Sequence, residues 1–163
     1  MGQSEEAAEL ATRHWPPATP SGPTTDPLTT DLLATGHWPP TTALVLDAPL
    51  SLWGGLEPTT GDIIDQRHPQ CGANVSGRVL VMPVGKGSSS ASSILLEAAR
   101  LGTAPSAIVL AEMDGILALG AAVAREMYGV EVPVVVAGES YALIRNGRQV
   151  AISRSGAIEL TPP

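Results

Sequence analysis

From Gly85 to Ser90 the chain runs Gly-Lys-Gly-Ser-Ser-Ser, three hydroxyls and an ammonium within six residues. Lys86 brings a positive charge that either faces an anion or is simply solvated. Gly85 and Gly87 allow backbone angles that a side chain forbids. The segment follows the apolar run Val79 to Val84 and precedes the spaced Ile94, Ala98 and Leu101. That order predicts a buried strand, a turn and a helix, with Ser88, Ser89 and Ser90 supplying capping hydroxyls. A helix N-terminus exposes N–H groups and partial positive charge, which suits an oxyanion, a carboxylate or a phosphate. The same layout also makes an ordinary strand-to-helix connection. Two nucleotide loops are excluded by spacing. A P-loop needs glycine where Leu80 stands and a hydroxyl residue where Gly87 stands. A dinucleotide fingerprint needs a third glycine at position 90, which is serine.

The other candidates for chemistry are sparser. Asp65-Gln-Arg-His-Pro69 clusters titratable groups, either as an Asp–His pair or as loop hydrogen bonding. Cys71 is the one cysteine, so no internal disulfide forms. An iron–sulfur cluster held by this chain alone is excluded too, since it takes about four thiolates. His14 and His37 repeat within His-Trp-Pro-Pro, at 14–17 and 37–40, too far apart for a metal site. The repeat reads as a docking motif or as two similar stretches of an extended arm.

The elements that must position the loop follow from composition and pattern. A length of 163 residues fits one domain with its own core, about 100–150 residues being the common size. Net charge is −7, which argues against nucleic acid and anionic membranes as partners. Most of that acidity lies in residues 1–48, with six acids and one base, against ten and eight in residues 49–163. Residues 1–42 are rich in Pro and Thr and are expected to form a flexible arm, with the folded body from 43 to 163. The chain shows no signal-like start, and no apolar run approaches the roughly 20 residues of a membrane span. With its lone cysteine, it is expected in the cytoplasm.

Within the body, strands are expected at Ala43–Leu46 and Leu50–Trp53, with extended chain resuming at Ile63-Ile64 after a turn at Glu57–Gly61. The helix after the serines should stop at Gly102. A buried strand follows at Ala107–Ala111, then a helix capped by Asp114, buried through Ile116, Leu119, Val123 and Met127, and closed by Gly129. Val132–Ala137 reads as a third buried strand. Asn146-Gly147 suggests a hairpin between Tyr141–Ile144 and Val150–Ile152. The fold class is α/β with a mixed, partly parallel sheet.

Three ordered stretches then carry a family resemblance. Pro49-Leu-Ser-Leu-Trp-Gly-Gly-Leu-Glu-Pro-Thr-Thr-Gly-Asp-Ile-Ile-Asp-Gln-Arg-His-Pro69, Ser76-Gly-Arg-Val-Leu-Val-Met-Pro-Val-Gly-Lys-Gly-Ser-Ser-Ser-Ala-Ser93 and Ile116-Leu-Ala-Leu-Gly120 resemble the aconitase X small subunit, or swivel domain. The resemblance covers residues 43 to 153. The family more usually has Arg and Gly where Lys86 and Ala91 stand. It implies a swivelling β/β/α domain that closes over an iron or iron–sulfur site in a separate large subunit, with no cofactor bound by this chain alone. It also implies that Ser88 is the base of a hydro-lyase, with Lys86, Gly87, Ser89 and Ser90 binding a small hydroxy-acid substrate. Family activities are dehydration of cis-3-hydroxy-L-proline in bacteria and of mevalonate 5-phosphate in archaea, and the Pro/Thr arm and Ala/Gly content favour the first. The competing reading is a non-catalytic module that binds a partner or an anion. A phosphohistidine swivel is excluded, because no histidine follows His68.

Overall fold

The structure is a computed structural model and describes residues 37–160. The strands are β1 (His37–Val45), β2 (Leu56–Glu57), β3 (Asp62–Ile63), β4 (Val79–Met82), β5 (Ala107–Leu110), β6 (Val134–Val136), β7 (Gln149–Ser153) and β8 (Ile158–Leu160). Two long helices, α1 (Ala91–Leu101) and α2 (Gly115–Tyr128), connect β4 to β5 and β5 to β6. The main sheet has the order β6-β5-β4-β1-β7-β8. β1, β4, β5 and β6 are parallel, while β7 and β8 add antiparallel strands. β2 and β3 form a separate small hairpin across the expected turn. The mixed sheet is the α/β architecture expected.

Side chains alternate across β4 and β5, and this divides the core into two layers. Leu80, Met82, Ile108 and Leu110 face one way and pack with Leu95 of α1 and Leu117 of α2. Val79, Val81, Ala107 and Val109 face the other way and meet Val150, Ile152 and Ile144. β4 and β1 lie between β5 and β7 in the sheet, and Val79, Val81 and Ala43 carry this cluster continuously across that face. All four residues of β4 and of β5 are buried, as a strand covered on both faces requires.

Several expectations are corrected. β1 starts at His37, so residues 37–42 belong to the sheet and not to the arm; residues 1–36 lie outside the described residues. Leu50 makes only an isolated bridge, and Leu52–Gly55 is a helical turn broken at Trp53 and Gly54. β6 is not fully buried, because it is the end strand of the sheet. Tyr141–Leu143 lies in a 3-10 helix, Gly138–Leu143, so it does not pair with β7. The turn at Gly147 instead launches β7 along β1, with the Gly147 N–H donating to the Ala43 carbonyl at 2.9 Å.

The buried face of α2 is rotated from the expected one. Leu117, Gly120, Ala121 and Ala124 are buried, while Leu119 and Met127 are 59% and 61% exposed. α1 likewise buries Ala91, Leu95, Ala98 and Ala99, and Leu101 is 40% exposed. The helices lie so close that a Cβ on Gly120 would stand 2.8 Å from the Ser92 carbonyl oxygen. Small residues therefore occupy the contact between the helices, Leu95 and Leu117 point to the sheet, and Leu119 and Met127 turn outward. Among the described residues no helix is long and apolar enough to cross a membrane.

Candidate functional site

β4 ends at Met82, and Pro83 follows it. The Pro83 carbonyl accepts N–H groups from Ala111 and Glu112 at 2.9 and 3.2 Å, tying the exit of β4 to the exit of β5. Gly85 forms a parallel bridge to Leu50, and the Lys86 N–H donates to the Leu50 carbonyl at 3.1 Å. The loop is thus held from both sides, at the carboxyl ends of two central parallel strands. Open α/β sheets commonly bind ligands at this edge.

Asp114 provides a further constraint. One carboxylate oxygen accepts the N–H groups of Ile116 and Leu117 at 2.9 and 3.1 Å, the expected cap of α2. Its other oxygen lies against Gly85, and a Cβ at position 85 would overlap it. The N-terminal ends of α1 and α2 therefore flank one loop.

The five expected site residues are brought together there, but not all as expected. Ser88 is half-buried, and its Oγ accepts the Ser90 N–H at 3.3 Å, a hydroxyl-centred turn just before α1. The Ser88 carbonyl accepts the Ala91 N–H at 2.9 Å. Ser90 holds the N-cap position with helical angles and makes no side-chain cap, which corrects the expectation of three capping hydroxyls. Ser89 is exposed, and its carbonyl accepts the Ser92 hydroxyl at 2.8 Å. Lys86 and Gly87 are exposed. The Ser93 and Ile94 N–H groups donate to the Ser90 carbonyl, and those of Ser89 and Ser92 have no partner among the described residues. Free donors beside a half-buried hydroxyl are what an oxyanion needs.

The alternative catalytic pair does not exist. His68 is buried, its Nε2 lies 3.1 Å from the Ala48 carbonyl, and its Nδ1 accepts the Gln70 N–H at 3.1 Å. Asp65 caps the Arg67 N–H at 3.0 Å. Both side chains hold loop backbone. Cys71 is exposed. Among the described residues no cluster of three or more His, Cys, Asp or Glu side chains forms a metal cage.

The contacts of the loop with Leu50 and Asp114 were not foreseen from sequence. The stretch after Pro49 carried the signal for the first, since a conspicuous Gly-Gly turn ended it. Nothing local marked the second. Around this edge Met113 is 81% and Trp53 58% exposed.

Comparison with known proteins gives the same frame. Residues 39–160 match the family described as the aconitase X swivel domain. The chain is 48% identical over 92 residues to a cis-3-hydroxy-L-proline dehydratase of Pseudomonas aeruginosa, covering 56% of this chain and 16% of that protein. It is 47% identical over 77 residues to a phosphomevalonate dehydratase small subunit of Methanopyrus kandleri, covering 47% of this chain and 57% of that one. Its structure resembles the crystal structure of Thermococcus kodakaraensis aconitase X in its holo-form, with a TM-score of 0.69 and 27% identity, over 78% of this chain and 92% of that chain. The chain thus aligns with only part of the length of the two dehydratases.

Proposed function

Because the chain belongs to the aconitase X swivel-domain family, we propose that it is the small subunit of a hydro-lyase and works by closing its Gly85–Ser90 loop over a site on a large subunit. The observation that carries this reading is Ser88, whose half-buried hydroxyl already accepts a backbone N–H at the start of α1. In the substrate, a C–H bond next to a hydroxyl-bearing carbon is broken. Ser88, as alkoxide, takes the proton and becomes a hydroxyl; the C–H electron pair forms the double bond, and hydroxide leaves the adjacent carbon. The Ser90 N–H stabilises the alkoxide before the transfer. Ser89, Ser90 and Gly87 line the approach to it, and Lys86 attracts the substrate carboxylate.

An iron or iron–sulfur centre does not fit the donors of the described residues, since Cys71 is a lone thiol, His68 is committed to backbone on both nitrogens, and no three His, Cys, Asp or Glu side chains converge. In the proposed enzyme the large subunit holds that centre. The exposed Trp53 and Met113 beside the loop are the apolar surface that meets this subunit.

The proposed substrate is cis-3-hydroxy-L-proline, supported by the 48% identity to the Pseudomonas dehydratase. A second reading, mevalonate 5-phosphate, is favoured by a different observation: the relatives named as separate small subunits are phosphomevalonate dehydratases. The test is to assemble the chain with a family large subunit and assay both compounds for loss of water. The chain alone should fold and be inactive. In the complex, Ser88→Ala should lower turnover about 10²–10⁴-fold, the usual contribution of a positioned base, with assembly and iron content unchanged. Wild-type turnover by Ser88→Ala would place the base in the partner and leave this chain a binding module.

A further inference from the structure

We propose that a groove between α2 and β6 seats Trp15-Pro16-Pro17, the first copy of the motif whose second copy opens β1. The second copy shows what the motif binds. The Trp38 Nε1–H donates to Glu131 Oε2 at 3.1 Å, and the Arg154 guanidinium sits 4.9 Å from the indole centroid. Arg154 in turn donates to Glu131 Oε1 at 2.8 Å. The motif is therefore held by an arginine on the ring and a carboxylate on the ring nitrogen.

Beside Trp38 lies a groove of about 240 Å³, bounded by Ala118, Ala121, Ala122, Arg125 and Val132. The alanines of α2 leave an apolar floor, the Arg125 stem lies on its rim, and the Trp38–Glu131 pair of the second copy closes one side. The occupant follows from where the chain enters. Residues 1–36 join the sheet at His37, one residue before Trp38 lines the groove. The segment 18–36 that links the two copies spans up to roughly 60 Å when extended, well beyond what a return to the groove requires. Tethering makes docking intramolecular, at an effective concentration on the order of millimolar. Pro16 and Pro17 need no strand partner for N–H groups they lack, and a tryptophan adds contact area at low entropic cost. The groove lies at the amino ends of the parallel strands, away from Ser88, so this docking is independent of the hydro-lyase reading.

The test uses the full chain, with Cys71→Ser and Ala18→Cys carrying a nitroxide. Amide signals of Ala118, Ala122 and Arg125 should lose more than half their intensity, while those of Gly87 to Ser90 should not. Adding Trp15→Ala, which alters no residue of the folded body, should restore the lost signals. Three results would overturn the proposal: no broadening at the groove, broadening that survives Trp15→Ala, or broadening seen only between chains when nitroxide-bearing and isotope-labelled copies are mixed.

Discussion

Gly85 and Asp114 show how one residue type can be required by another 29 positions away. Any side chain at 85 must displace the carboxylate that caps α2. Gly85→Ala should therefore destabilise the fold by about 1–2 kcal/mol, the scale of losing an N-cap with some strain. Much of that cost should vanish in a background of Asp114→Ala, where no carboxylate remains to displace. Denaturant unfolding of the two single variants and the double variant checks this, and additive costs would count against the contact. The cap itself was legible, since Asp114 stood just before an apolar-periodic run. The second oxygen was not, because it depends on the tertiary meeting of two strand exits. Glu131 supplies a second test. The hydrogen bond from Arg154, opposed by partial burial and aided by the Trp38 indole, holds its carboxyl below the ordinary value. A depressed carboxyl stabilises the fold fully above its unfolded value and loses that contribution as pH falls through its folded value. The acid limb of the stability curve should accordingly be shallower in Glu131→Gln, as thermal melts between pH 3 and 7 can show.

At the scale of elements, the pairing of α1 with α2 is the feature that size-based pattern reading missed. Both Ile116-Leu119-Val123-Met127 and Leu117-Gly120-Ala121-Ala124 have helical spacing, and the larger set was the obvious core. Two helices laid side by side over short strands instead need small residues at their contact. Gly120→Leu should cost more than the roughly 1–3 kcal/mol typical of overpacking, since its neighbour is the immovable Ser92 backbone. Met127→Ser on the exposed side should change the midpoint little. A Gly120→Leu variant as stable as wild type would mean the helices readily move apart. The strands β4 and β5, both helix stops at Gly102 and Gly129, and the loop between β4 and α1 were legible, because each is set by local pattern. The Asn146-Gly147 turn was recognised, but not its partner strand. Local chemistry specifies that a chain reverses; only the packed sheet decides what it then lies against.

For the whole molecule, the boundary at His37 makes a direct prediction about truncation. Removing residues 1–36 leaves β1 and the Trp38 cluster intact, whereas removing 1–42 takes away the pairing of β1 with β7 at His37, Trp38, Thr41 and Thr42. The longer cut should cost about 2 kcal/mol more, roughly 4–8 °C in midpoint for a chain of this size. Equal midpoints would show that the first half of β1 adds nothing to the fold. Leu119 and Met127 on α2, and Trp53 and Met113 near the loop, are the large apolar side chains that the body leaves most exposed in these two regions. In the proposed function the second pair meets a large subunit. Pattern alone gave no hint of it, since burial by a partner and burial within the core leave the same residue types.

The chain enters its main sheet at the end opposite the Ser88 loop, and in the proposed enzyme this makes the domain a lever. β1 is nine residues long, or about 30 Å at roughly 3.3 Å per residue. Any tether fastened near His37 then acts as a fulcrum with the Ser88 hydroxyl far out along the arm. A tilt of only about 10° there would carry the loop through some ~5 Å over a span of this length. Such an arm opens and seals a cleft with little bending of its own, and a linker attached at that fulcrum stays clear of the mouth it closes.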